Sequence, residues 1–264
     1  MSSTSRHHPA VRAISFLLAL ALLAGLVVAA FASLFTSDPH NKTKILYAWN
    51  WDAVWKYRQI YWDGWLTTVA IAAIALPLSC LAGVLLATAR RAPWLPLRQA
   101  AQILVELTRG TPLLVQILIY WYVIGTPLGI QNRYLAGPLV LAAFSGAYIS
   151  EIVRAGIESV GLSQLESARA IGLTRGQTYR HIIFPQALRQ MLPSLAGQFV
   201  SLVKDSSLLS VIALQEFTKA AESSTSFDFA FFESYLTLAV GYLIITLPIS
   251  LWTQRLERTM RYDT

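Results

Sequence analysis

Long uncharged stretches restrict the fold of this sequence more than any other feature. Several of them reach about 18 residues, and roughly 20 helical residues cross the hydrocarbon core of a bilayer. Because lipid offers the backbone no hydrogen-bond partners, each stretch is predicted to form one membrane-spanning helix. The chain is therefore predicted to be an all-α integral membrane protein. The predicted spans cover residues 11–35, 64–89, 112–130, 135–151, 192–214 and 232–252.

The composition agrees with this interpretation. Hydrophobic residues make up 55% of the chain and charged residues only 13%, which is more apolar surface than one soluble core needs. The net charge is +7, but most basic residues lie between the spans, which argues against nucleic acid as a partner. With the amino terminus inside, 14 of the 21 lysine and arginine residues fall on the inner side. This excess predicts that both termini are cytoplasmic.

The first predicted span admits a second interpretation. Basic residues precede it, and it ends in Ala30, Phe31 and Ala32, a small-x-small pattern that a signal peptidase accepts. An uncleaved anchor leaves all the predicted spans in place, whereas cleavage near residue 32 would remove the first of them.

Aromatic residues are concentrated between the first two predicted spans. Trp51 and Trp55 would share one helical face, and Tyr57 and Tyr61 another. Rings with polar edges prefer the headgroup region, so this segment is predicted to lie on the outer membrane surface. A stacking site for a sugar or a base is the alternative.

Cysteine and histidine indicate no disulfide or metal chemistry. Cys80 is the single cysteine and lies in an apolar stretch, so it is predicted to be a small buried side chain. The histidines show no pair at ligand spacing within a span, and no metal site is expected. They are His7, His8, His40 and His181.

The inner connection at residues 155–190 contains the signals of a helix that begins and ends at defined positions. Ser163 and Glu166 have the spacing of a capping box, which predicts a helix beginning at Ser163. Gly172 follows about two turns later, where a glycine in the left-handed conformation commonly ends a helix. A first helix, closed by a tight turn, is therefore predicted.

A second helix is predicted directly after this turn. Thr174 and Gln177 form another capping-box pattern. Pro185 lacks a backbone donor, so the helix is predicted to end at Phe184. The connection should thus form a helix, a turn and a helix, which is more structure than a passive tether needs.

The spacing of this connection resembles the E-A-A loop of bacterial ATP-binding-cassette (ABC) importer permeases, whose pattern is E-A-A-x3-G-x9-I-x-L-P. Two positions differ, because serine replaces the first alanine and phenylalanine replaces leucine. The seven defined positions of the pattern are occupied by Glu166, Ser167, Ala168, Gly172, Ile182, Phe184 and Pro185.

The resemblance extends over about residues 64–258 and is closest to the permeases for polar amino acids such as histidine, glutamine, arginine and glutamate. It rests on residues 109–116, 147–157 and 204–208, in addition to the loop. Gly161 stands where that family usually has proline.

The resemblance implies a five-helix type I importer permease core, with the first predicted span as an extra amino-terminal transmembrane helix. Residues 1–63 would be the anchor and the outer interfacial segment, residues 64–258 the permease domain, and residues 259–264 a cytoplasmic tail. The implied location is the bacterial inner (cytoplasmic) membrane.

The implied partners are separate ABC ATPase subunits, a second permease subunit that is identical or related, a periplasmic or surface amino acid-binding protein, and membrane lipid. The sequence contains no G-x-x-x-x-G-K-[ST] phosphate loop, so the chain is expected to bind no cofactor itself. ATP and magnesium are expected in the partner ATPase.

Specific roles follow from the resemblance for the loop, which would dock on the ATPase. Glu166 would position the docking helix, Ala168 would allow close approach, and Gly172 would supply the turn. A charged side chain inside a membrane costs free energy unless it faces a cavity or an opposite charge. Lys204 and Asp205 are therefore predicted to line a substrate path or to form a structural pair. The candidates for the substrate path are Gln116, Tyr120, Lys204, Asp205 and Ser207.

Three other functions are weighed against a permease of this kind. An ion-coupled secondary transporter would need inverted repeats and more buried ionisable groups. A channel would conduct without nucleotide. An enzyme would need a nucleophile and a base, or metal ligands, in register, and the spans show none. Glu106 and Arg109, one turn apart, are predicted to form a solvated pair.

Overall fold

The computed structural model describes Leu18, Leu22, Gly25 and Leu26 and residues 49–260. The chain divides into two compact units, Met1–Trp49 and Asn50–Thr264. In the first unit, the four described residues before Trp49 are helical. The predicted amino-terminal span and its possible cleavage site otherwise lie outside the described residues, and both stay predictions.

The second unit is built from helices, and residues 49–260 contain no strand. Two stretches of π-helix, Ile119–Gly125 and Tyr179–Ile183, and one 3-10 helix, Ser206–Ile212, continue α-helices without a break in the chain. The α-helices are α1 (Trp51–Lys56), α2 (Arg58–Ala89), α3 (Leu95–Gly110), α4 (Leu113–Leu118), α5 (Arg133–Glu158), α6 (Leu162–Ala170), α7 (Arg175–Thr178), α8 (Phe184–Asp205), α9 (Phe217–Asp228) and α10 (Phe231–Met260).

Within the described residues, four helical segments are long and apolar enough to cross a membrane, or five if a bent pair counts as one span. They are Arg58–Ala89, Arg133–Glu158, Arg175–Ile212 and Phe231–Leu256, and the bent pair joins Leu95–Gly110 to Leu113–Gly125 at 112°. Each predicted span in the described part coincides with one of these segments, which confirms the all-α membrane fold. The span predicted at 112–130 is shorter than expected and begins at the bend.

Helices α2 and α5 form the closest pair because glycines face each other across it. A Cβ atom on Gly83 would lie 2.4 Å from the side chain of Ile149, and one on Gly146 would lie 2.8 Å from Ala82. Small residues of this kind let two membrane helices pack backbone against backbone. Around this pair, α4, α8 and the 3-10 helix complete an apolar core that includes Ile117.

The direction of the helices defines two ends of the unit. We call the end that carries residues 159–183 the loop end, because α5 finishes there and α8 begins there. At the opposite end, Gly64 of α2 packs against Ala220 of α9, and Lys56 forms an ion pair with Asp228 at 3.1 Å.

A buried carboxylate organises the opposite end. Glu216 is fully buried and caps α9, where it accepts hydrogen bonds from the backbone N–H groups of Thr218 at 2.9 Å and Lys219 at 2.8 Å. The hydroxyl of Tyr242 in α10 donates to the same carboxylate at 3.0 Å. Burial raises the pKa of Glu216 to about 7 against these stabilising hydrogen bonds. The start of α9 is thereby tied to α10.

Candidate functional site

The first helix of the loop, α6, begins one residue earlier than predicted. Gly161 occupies the N-cap position with extended backbone, and its carbonyl accepts the N–H of Gln164 at 3.0 Å. No side chain caps this helix end. The predicted capping box of Ser163 and Glu166 is wrong, because Ser163 lies inside the first turn and an N-cap residue must have non-helical backbone.

The end of α6 is closed as predicted by Gly172, whose φ of +79° is left-handed. The N–H of Gly172 donates to the carbonyl of Arg169 at 3.0 Å, and the N–H of Leu173 donates to that of Ala168 at 3.0 Å. This pair of bonds is the Schellman motif. A Cβ atom at position 172 would meet nothing within 4 Å, so only the backbone conformation requires glycine here.

The second capping box is confirmed. The side chain of Thr174 accepts the N–H of Gln177 at 3.4 Å, and the side chain of Gln177 accepts the N–H of Thr174 at 2.9 Å. The hydroxyl of Thr178 also donates to the carbonyl of Thr174 at 3.0 Å. The turn between α6 and α7 is therefore fixed from both sides by local hydrogen bonds.

Pro185 does not end the second helix, so that prediction is wrong. The π-helical stretch Tyr179–Ile183 lies directly before it, and the N–H of Phe184 donates to the carbonyl of Tyr179, five residues back. This wider turn shifts the hydrogen-bond register before the proline ring, and α8 then begins with Pro185 in its first turn. The result is one helical segment, Arg175–Ile212, that joins the loop to a membrane span.

The loop has a buried side and an exposed side. Ala168 is buried, and Ile183 packs with Val160, Ala187 and Met191 in a small apolar cluster at the loop end. Ile182 is half-buried, whereas Ser163, Glu166, Ser167 and Pro185 are exposed.

Bulky apolar side chains lie on the exposed side of the loop. Leu162 and Ile171, at the two ends of α6, are each 75% exposed, and Phe184 is 61% exposed. Arg169 and Arg175 are exposed between them. A surface that mixes large apolar and arginine side chains is typical of protein–protein contacts. The arrangement can present a rigid helix, held at a fixed angle, to a partner.

Two substrate-path candidates, Gln116 and Tyr120, lie on α4 and on the π-helical stretch that follows it. Gln116 is buried, and its amide nitrogen donates to the carbonyl of Thr108 at 2.7 Å and to the hydroxyl of Thr111 at 2.8 Å. It therefore holds the 112° bend. Tyr120 lies in the π-helical stretch that follows and is partly exposed. Their role in a substrate path stays a prediction.

The other candidates lie at the junction of α8 and the 3-10 helix. Lys204 is exposed, while Asp205 and Ser207 are half-buried. Among the ion pairs of the described residues, none joins Lys204 to Asp205. Helix α4 packs against this 3-10 helix, and Ile117 and Leu209 belong to the same apolar cluster. The two groups of candidates thus lie on neighbouring elements, and their role stays a prediction.

Sequence reasoning missed a charged cluster at the loop end. We define the Glu151 cluster as Glu151 with Arg90, Arg109 and Arg154. Glu151 is ion-paired to Arg90 and to Arg154, the latter at 2.8 Å, and lies 3.7 Å from Arg109. The predicted Glu106–Arg109 pair is therefore wrong, because Arg109 turns toward α5. Only the i,i+3 spacing of Glu151 and Arg154 was visible in the sequence.

Comparison with known proteins gives a consistent result. The family described as "Binding-protein-dependent transport system inner membrane component" matches residues 79–262. The probable glutamine ABC transporter permease protein GlnM of Bacillus subtilis (strain 168) is 36% identical over 203 residues, 76% of this chain and 93% of that protein. The glutamine transport system permease protein GlnP of Escherichia coli (strain K12) is 33% identical over 216 residues, 80% of this chain and 98% of that protein.

A solved structure extends the likeness to three dimensions. The crystal structure of an amino acid ABC transporter with histidines superposes with a TM-score of 0.75 at 32% identity. The match covers 81% of this chain and all of that one.

Proposed function

Because the chain belongs to the family of binding-protein-dependent transport system inner membrane components, we propose that it is the membrane-spanning permease subunit of an ATP-driven importer for polar amino acids. The observation that carries the proposal is the loop at residues 162–185. It joins a membrane span on either side, its turn is fixed by hydrogen bonds, and it exposes large apolar side chains.

The energy for transport would come from a partner. The sequence has no phosphate loop, so we place ATP and magnesium in separate ATPase subunits. Helix α6 would sit in a groove of such a subunit, with Leu162 and Ile171 at its two ends as apolar anchors. Glu166 and Ser167 would face the partner between them, while Ala168 faces the permease.

The loop would transmit motion because it has few ways to bend internally. The Schellman motif at Gly172 and the capping box at Thr174 fix the angle between α6 and α7. Helix α7 continues through the π-helical stretch into α8, and α5 ends only a few residues before α6. A displacement of α6 would therefore reach two membrane spans at once.

We propose polar amino acids as the cargo because the relatives are named for glutamine transport and the matching structure is of an amino acid transporter. A second permease subunit and an amino acid-binding protein would complete the importer. The charge distribution supports an inner-membrane location with both termini cytoplasmic, and the loop end would then lie in the cytoplasm. Gln116, Tyr120, Lys204, Asp205 and Ser207 stay candidates for the substrate path.

Reconstitution tests the proposal directly. The chain would be inserted into liposomes with an ABC ATPase and an amino acid-binding protein from the same organism, and ATP hydrolysis would be measured with glutamine, histidine, arginine and glutamate in turn. We expect at least one amino acid to stimulate hydrolysis and to be taken up only when ATP is present. Uptake that proceeds equally without ATP would refute the proposal and favour a channel or a secondary transporter.

A further inference from the structure

The carboxylate of Glu151, at the loop end, is paired with arginines from the ends of two other helices. Glu151 of α5 accepts a hydrogen bond from Arg90, the residue that follows α2, and lies 3.7 Å from Arg109 in the last turn of α3. Its second oxygen accepts two hydrogen bonds from Arg154, at 3.1 and 2.8 Å. The ends of α2, α3 and α5 therefore meet at a single side chain.

The centre of the cluster is shielded from water, so the charges of Arg90 and Glu151 interact strongly. Their side chains are 14% and 17% exposed, whereas those of Arg109 and Arg154 are 37% and 40% exposed. Arginine cannot lose its proton at any physiological pH. Without the carboxylate, the largely buried Arg90 would lose its ion-pair partner beside two other guanidinium groups, and this disfavours the packed arrangement of the three helix ends.

The position of the cluster connects it to the loop. Glu151 lies about two helical turns before the end of α5, and α6 begins directly after a short connection. Farther from the loop, the glycine contacts of Gly83 and Gly146 already hold α2 against α5. The cluster holds the same two helices at the end where the loop joins them, and it adds α3.

Helix α3 is attached on both sides of Arg109. The Arg109 guanidinium lies over the ring of Tyr148 in α5 at 5.7 Å, in addition to its contact with Glu151. On the other side, Gln116 holds Thr108 and Thr111 at the bend. Arg109 is thus one of the contacts that join the bent segment to α5.

We infer that Glu151 is a positioning residue for energy coupling. It makes the loop-end parts of α2, α3 and α5 move as one body, so that a displacement of α6 is passed to the spans. This inference rests on the proposed function. Without Glu151, the loop still docks and the ATPase still turns over, but the loop-end parts of α2 and α3 no longer follow α5, and transport no longer follows hydrolysis.

The test compares two substitutions of the same chemistry on the same helix. Glu151→Gln removes the central carboxylate, whereas Glu158→Gln removes a carboxylate that is 52% exposed and contacts only Arg154 and Arg91 among the described ion pairs. The readout is the number of amino acid molecules transported per ATP hydrolysed in the reconstituted complex. Co-purification of the ATPase is measured in parallel.

We expect Glu151→Gln to lower the transported-to-hydrolysed ratio by about tenfold or more, as the loss of charge-assisted hydrogen bonds implies. ATPase binding should be retained. Glu158→Gln should leave the ratio within about twofold, because an exposed pair contributes little. Glu151→Asp, which keeps the charge on a shorter side chain, should restore part of the ratio, which a purely steric role would not explain.

An unchanged ratio in Glu151→Gln would overturn the inference. If that variant does not assemble, the same ratio is measured for Arg109→Gln. This substitution removes the contact of Glu151 with α3 and leaves Glu151 paired with Arg90 and Arg154. A lower ratio in Arg109→Gln supports the inference, and an unchanged one overturns it. A wild-type complex without ATP-driven uptake would instead defeat the proposed function, and the inference with it.

Discussion

Substituting Gly172 with alanine should uncouple the loop through backbone strain alone. The φ of +79° is left-handed, and an L-residue in this conformation is destabilised by roughly 1–2 kcal/mol. Added atoms are not the cause, because a Cβ atom would meet nothing within 4 Å. If the chain relaxes to negative φ instead, the two hydrogen bonds of the Schellman motif are lost.

The size of the effect follows from this strain. A destabilisation of 1–2 kcal/mol lowers the population of the native turn relative to its alternatives by roughly 5- to 30-fold. ATP-driven uptake by the reconstituted complex should therefore fall, by at most this factor, at equal amounts of assembled protein. Gly172→Asn should lose less, because asparagine adopts the left-handed conformation more readily.

Gly176 provides the matched control. It too has open space around it, since an added Cβ would meet nothing within 4 Å, but it lies in α7 and its φ is not left-handed. Alanine in a helix is favoured over glycine by roughly 0.5–1 kcal/mol, so Gly176→Ala should leave uptake unchanged. Equal uptake by Gly172→Ala and Gly176→Ala would refute the reasoning.

Three further predictions concern stability, each measured by thermal unfolding in detergent. Burial raises the pKa of Glu216 from 4.5 to about 7, so the folded protein binds this proton more tightly than the unfolded chain. Protonation of Glu216 should add about 3 kcal/mol to the free energy of unfolding below pH 4.5, and this contribution should be lost as the pH rises through 7. Glu216→Gln should remove this pH dependence. Gly83→Ala, whose Cβ would lie 2.4 Å from Ile149, should destabilise the protein by about 1–3 kcal/mol, whereas Gly110→Ala, with open space, should not. Gln116→Ala should lower the free energy of unfolding by about 1–3 kcal/mol, because the carbonyl of Thr108 loses the hydrogen bond that the Gln116 amide donates.

The sequence predicts well those features that depend on neighbouring residues. The spans appear because hydrophobicity is summed over a whole helix and lipid leaves the backbone no other choice. The turn at Gly172 and the cap at Thr174 are also predicted, because each involves residues at most five apart. The predicted helix start at Ser163 is wrong because Gly161 is the N-cap residue, and glycine has no side chain that could mark a cap in the sequence.

Contacts between distant residues are the part that the sequence does not reveal. Arg90 and Glu151 are 61 positions apart, and the buried Glu216 meets Tyr242 across 26 positions. No local pattern marks such pairs. The prediction at Pro185 is wrong for a different reason. A proline ends a helix only if the preceding turn cannot widen into a π-helical turn, and the sequence does not show whether it can.

The most direct test of the account is site-specific photo-crosslinking on the assembled complex. A photoreactive side chain would replace Leu162 or Ile171, the exposed anchors of α6, and Trp55, which is 71% exposed at the opposite end, would serve as the control. The account predicts cross-links to the ATPase from both loop positions and none from position 55. Cross-links from position 55, or none from the loop in a complex that hydrolyses ATP and transports, would contradict it.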